Sequence, residues 1–199
     1  MALSKYIGTL TSPTSTGNQA ITGVGFIPEC IIFFSNRLTD AATTVALQSI
    51  GITTGTSAGD SWAIGNSSQD NVGTTNVNTI TRTDKCHTEV TQAGGVREEC
   101  SLVSLDSDGF TINWSTVGGS GLPIYFIALA GASFQAGNML TGTSVTTVAE
   151  TGVGFAPTAL LIQKNSTVGI TTNWLSSLGF YDGTNESSTY ARDQDALGT

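Results

Sequence analysis

Seven residues beginning at Thr22, Thr-Gly-Val-Gly-Phe-Ile-Pro, return at Thr151 as Thr-Gly-Val-Gly-Phe-Ala-Pro, a shift of 129 residues. A match of this kind within one chain marks a structural unit used twice. In both places an apolar run follows, Cys30-Ile-Ile-Phe-Phe34 and Ala159-Leu-Leu-Ile162, and both turn polar, at Asn36 and Asn165. Further on, Gly51-Ile52 aligns with Gly179-Phe180, and Ser61-Trp-Ala63 with Thr189-Tyr-Ala191 after a one-residue deletion. The first unit continues through Gly109-Phe-Thr-Ile-Asn-Trp114 and Ile124-Tyr-Phe-Ile-Ala-Leu129, and residues 133–199 hold no counterpart of either. The chain therefore reads as a complete module over 1–132 and a partial repeat over 133–199. Half a module leaves strand edges and an apolar face unpaired, an aggregation hazard in a free monomer. A neighbouring chain, or further residues of a longer protein, is expected to complete it.

The kind of module follows from what replaces charge. Charged residues make up 11% of the chain, against about 25% in an ordinary soluble domain, and Thr, Ser, Gly and Asn stand in their place. Helix surfaces favour straight-chain charged residues, whereas Thr and aromatics fit a pleated surface and Gly, Asn and Ser fit tight turns. The expected fold is all-β, a β-sandwich or jelly roll, with strands near 5–10, 18–24, 29–35, 43–50, 61–64, 76–90, 96–105, 109–115, 123–130, 143–150, 158–164, 170–175, 178–181 and 188–192. The continuously apolar runs at 30–34 and 124–129 suit strands covered on both faces. The alternating run from Thr81 to Val90 predicts one face in solvent.

Cys86 and Cys100 flank a turn at Ala93-Gly94-Gly95. A hairpin pivoting at Ala93 sets Cys86 opposite Cys100 and Glu89 opposite Arg97, which brings a cross-strand disulfide into range. Two free thiols on one hairpin face is the alternative, favoured in a reducing cytosol. Cys30, inside an apolar run, reads as an inert buried thiol. A zinc site from Cys86, His87, Cys100 and Glu98 or Glu99 fits no known ligand spacing, because Cys86 and His87 point to opposite faces of one strand; no metal or cofactor is expected. Asp106-Ser-Asp-Gly109 lacks the later acidic ligands of a calcium loop and reads as a tight turn.

A single histidine and no defensible carboxylate pair predict no catalytic residues and no enzyme. Among the aromatics, Trp62, Trp114, Trp174 and Tyr190 could stack on sugar rings, and Trp62 is the candidate singled out to face a ligand such as a glycan. It aligns with Tyr190, which favours a shared structural duty for both. The net charge of −8 with seven scattered basic residues argues against nucleic acid. The longest apolar stretch, Leu122 to Ala132, is broken by Pro123 and is too short to span a bilayer, so neither membrane insertion nor a signal peptide is expected.

Thr-Gly-Val-Gly-Phe-x-Pro with its apolar strand, then Gly-Phe-Thr-Ile-Asn-Trp and Ile-Tyr-Phe-Ile-Ala-Leu-Ala-Gly, resembles the repeated β-module of tailed-bacteriophage virion structural proteins. The resemblance covers the first module and the front half of the second. It implies a head decoration protein, head fibre or tail-fibre-like appendage, made in the host cytoplasm and resident in the virion. The implied partners are capsid or tail subunits and further copies of the chain, most simply a trimer. A host-receptor or glycan-binding module of a fibre or adhesin is the alternative. No catalytic residues come with the resemblance, which concerns strand and turn positions only.

Overall fold

The computed structural model describes residues 2–38, 45–69, 77–119, 121–139, 149–165 and 173–194. They are all β, with no helix among them. A six-stranded antiparallel sheet runs in the order β1 (Ser4–Thr11), β10 (Pro123–Ala130), β3 (Cys30–Leu38), β4 (Val45–Thr53), β5 (Ser61–Gln69), β6 (Val77–Arg82). A four-stranded sheet, β2 (Gly17–Thr22), β9 (Gly109–Thr116), β8 (Val96–Asp106), β7 (His87–Val90), packs against it. Strands β11 (Leu160–Asn165), β12 (Asn173–Tyr181) and β13 (Glu186–Gln194) form a separate meander. The expected sandwich is present.

Alternation builds its core. On β3, Ile31 and Phe33 point inward, on β10 Ile124, Phe126 and Ala128, and on β9 Phe110, Ile112 and Trp114, all at 2% exposure or less. Phe110 meets Phe126 edge-on at 5.1 Å and Phe33 at 5.8 Å, a geometry in which each ring edge faces a π-cloud. Each such side chain contributes about 1.5–3 kcal/mol by leaving water. Trp114 is held by its indole N–H, which donates to Gln19 Oε1 at 2.8 Å.

Two expectations are corrected around β7. The single strand expected at 76–90 is two, broken over 83–86 where the chain leaves the six-stranded sheet for the other. The solvent face expected there is absent, since residues 86–90 are all buried. Glycines explain it. A Cβ on Gly51 would lie 1.9 Å from the Cys86 carbonyl oxygen, and one on Gly65 would lie 2.6 Å from that of Thr88. The two strands opposite therefore present bare backbone where the carbonyls of 86 and 88 descend. This end of the sandwich is closed.

The hairpin pivot is also displaced. His87, not Cys86, pairs with Cys100, and Glu89 pairs with Glu98 rather than Arg97, because an irregularity between Glu89 and Val90 shifts the register by one residue.

The meander follows the order of β3-β4-β5, and its register matches at the central pair, Ile162 opposite Gly179 as Phe33 is opposite Gly51. The preceding Gly-Val-Gly turns also agree, with φ of 84° and 85° at Gly23 and Gly25 and 86° and 79° at Gly152 and Gly154, a conformation that glycine alone adopts without strain. The alignment of the third strand changes, however. Residues 182–185 join β12 to β13 where 54–60 join β4 to β5, a turn three residues shorter, closed by Asp182 Oδ1 accepting from the amides of Thr184 (3.0 Å) and Asn185 (2.7 Å). Ser187 opposite Phe180 thus answers Trp62 opposite Ile52, and Tyr190 does not. The strand expected at 143–150 lies largely outside the described residues, and the two expected at 170–175 and 178–181 are the single strand β12.

Candidate functional site

The inward row of β3 changes character along its length, from Ile31 and Phe33 to Ser35 and Arg37. Opposite its polar end, β7 turns in His87 and Glu89 and β8 turns in Glu98, each at 0% exposure. Arg37 Nη2 bridges the two carboxylates, 2.7 Å from Glu89 Oε2 and 2.6 Å from Glu98 Oε1, while Arg37 Nε donates to Glu89 Oε1 at 3.1 Å. Ser35 Oγ donates to the same oxygen at 2.8 Å. His87 Nε2 stands 3.4 Å from Glu98 Oε1 and 3.8 Å from Glu89 Oε1, with its ring edge-on to Trp114. Arg97 Nε approaches Glu89 Oε2 at 3.6 Å, and Gly118 closes over the group, a Cβ there lying 2.9 Å from Glu98 Oε2.

Two guanidinium groups against two carboxylates make this cluster neutral when His87 is neutral. Burial pushes the Glu98 carboxyl up, but the hydrogen bond with His87 and the charges of Arg37, His87 and Arg97 pull harder, and it rests below its ordinary value of 4.5. Ligand atoms of His87, Glu89 and Glu98 lie within 4.8 Å of one another, a donor set able to hold a cation. The space between the carboxylates already holds one, the Arg37 guanidinium. The cluster ties β3, β7 and β8 together; His87 Nδ1, Arg37 Nη1 and Glu98 Oε2 are buried and have no hydrogen-bond partner among the described residues.

The sequence raised a Cys86–Cys100 disulfide, with two free thiols as the alternative, and set a zinc site aside; it did not point to this cluster. Cys86 and Cys100 are both free and buried, with their sulfurs 3.6 Å apart, although the two residues are not directly paired. Burial and the neighbouring Cys86 raise the Cys100 thiol well above its ordinary value, and burial pushes Cys30 up to about 12. Cys86 and His87 diverge as expected, the thiol into the apolar core and the imidazole into the ionic cluster. Arg37 was hidden behind the apolar run that precedes it, although counting 31, 33, 35, 37 along β3 places it inward.

Trp62 lies half-buried on the outer face of the six-stranded sheet, its indole N–H donating to the Gly59 carbonyl at 2.8 Å. Across that face the register makes one row of Ile7, Ile127, Ile32, Ile52 and Trp62, and a second of Tyr125, Phe34, Ile50 and Ile64. Ile7 is 72% and Tyr125 53% exposed. At the far edge of the same face Asn165 Nδ2 donates to Asn66 Oδ1 at 3.1 Å and to Thr79 Oγ1, which joins β11 to the first module.

Asp106-Ser-Asp-Gly109 is a turn between β8 and β9, and its carboxylates are spent within the protein. Asp106 Oδ2 accepts from Thr111 Oγ1, and Asp108 accepts from the amides of Gly23 and Gly25. Compared with protein-family models, curated proteins and solved structures, the chain matches none.

Proposed function

We propose that this chain is a non-enzymatic structural component of a tailed-phage virion, displayed on the particle surface as a decoration or fibre protein. It joins further copies of itself, as a trimer, and binds neighbouring capsid or tail subunits. The observation that carries the reading is the state of the β11–β12–β13 sheet. Leu160 and Ile162 occupy the positions of Ile31 and Phe33, yet each is 43% exposed where its counterparts are 0% and 1%. Tyr190, on the same face through the row Lys164–Ser177–Tyr190, is 76% exposed. Apolar surface gathered this way marks an interaction face, and the outer rows ending at Ile7 and Tyr125 offer a second face for self-association. The sequence resemblance to virion modules supplies the setting.

Antibody raised against the purified chain and applied to intact virions tests this by electron microscopy. Regular labelling of head, neck or tail is expected. Virions that carry no label while the host cell does would overturn the reading.

A further inference from the structure

We propose that the Gly152-Val153-Gly154 turn and the inner face of the β11–β12–β13 sheet together form a docking site for a β-hairpin of another polypeptide, one with an Asp-Gly turn and alternating apolar residues. This rests on the assembly reading above and names the partner's chemistry.

The first module shows what such a hairpin does. Gly23 N donates to Asp108 Oδ2 at 3.0 Å, Gly25 N to Asp108 Oδ1 at 2.6 Å, and Val24 N to the Asp108 carbonyl at 3.2 Å. The Gly-Val-Gly backbone is thus an anion cradle, filled by the turn of the β8–β9 hairpin. From that turn β9 runs on, and Phe110 packs edge-on against Phe33. Beside the hairpin, the neighbouring strand β7 and the residue before it set Glu89 on Ser35 and the Cys86 carbonyl on Gly51.

Each of these receiving positions has a counterpart in the second copy, uncovered among the described residues. Gly152 and Gly154 carry the same φ and are exposed, and their amides have no hydrogen-bond partner among the described residues. Leu160 and Ile162 are exposed. A Cβ on Gly179 would approach nothing closer than 3.8 Å, and the atoms it meets belong to its own sheet. Lys164 stands where Ser35 does, exposed, and sets a positive charge where the first module meets an acidic strand. The two amides, unpartnered among the described residues, select the Asp of a hairpin turn, Lys164 an acidic strand beside it, and Leu160 and Ile162 the hairpin's apolar face. A second copy of this chain is a poor source, because its own Asp108 already occupies its own Gly23 and Gly25.

The full chain, labelled with ¹⁵N, is titrated with a backbone-cyclised peptide spanning Val96–Gly118, which preforms the hairpin. Saturable shifts at the Gly152 and Gly154 amides are expected, and the peptide carrying Asp108→Asn should bind at least about tenfold more weakly, since a charge-assisted hydrogen bond is lost. The chain variant Ile162→Asp should weaken binding of the unmodified peptide. Unmoved Gly152 and Gly154 signals, or equal affinity for the Asp and Asn peptides, would overturn the proposal. A chain that captures the hairpin this way but never labels virions supports the docking site and removes only the virion setting.

Discussion

At the scale of single residues, the Arg37–Glu89–Glu98–His87 cluster makes the strongest demands on the fold. Removing one member of a buried ion pair strands its partner, at a cost of about 3–5 kcal/mol. Arg37→Ala should therefore lower the urea midpoint by an amount corresponding to that loss. Glu98 adds a pH signature. Its carboxyl is held below 4.5 in the fold, so its contribution is complete above the unfolded value and is lost as pH falls through the folded one. The stability gap between the parent chain and Glu98→Gln should be widest near neutrality and should close below about pH 4.5. A gap that grows with acidity contradicts this. The thiols give a second test: the native chain should leave all three cysteines unreactive to a thiol reagent without reductant, and all three should react once it is unfolded. One reactive thiol after unfolding would mean that Cys86 and Cys100 are bridged. The sequence singled out His87, Glu89, Arg97 and Glu98 but did not assemble them with Arg37, because a one-residue slip in the β7–β8 register exchanges Arg97 for Glu98 opposite Glu89, and with it the chemistry of the site.

At the scale of elements, strand positions were legible wherever alternation and apolar runs agreed, as on β3, β9 and β10. β7 was misread because its burial comes from its neighbours' lack of side chains, a property of Gly51 and Gly65 that no pattern within 86–90 reveals. The comparison of the two copies turns this into a paired prediction. Gly51→Ala drives a methyl into the Cys86 carbonyl and should cost about 2 kcal/mol or more, as overpacking does. Gly179→Ala, at the matching position of an uncovered sheet, should change stability by about 0.5 kcal/mol or less. Denaturant midpoints of the two variants check this, and an equal loss in both would mean that something covers Gly179. The match between Thr22 and Thr151 was legible in the sequence, and the glycines of the two turns carry similar φ; the slip of the third strand was not legible, because it depends on a turn shortened around Asp182.

At the scale of the whole molecule, a closed sandwich precedes an open sheet, and the two differ in what covers the same kind of face. The outer rows ending at Ile7 and Tyr125 should hold copies together. Sedimentation of the purified chain is expected to give a trimer that Ile7→Lys reduces to monomer without loss of the sandwich's unfolding midpoint; an unchanged mass in the variant would clear this face of any role. The open sheet is the central claim, and hydroxyl-radical footprinting of the chain, free and within its assembled particle, tests it most directly. Leu160 and Ile162 should be oxidised in the free chain and protected in the particle, while Ile31 and Phe33 stay protected in both. Equal oxidation of Leu160 and Ile162 in the two states would contradict the account.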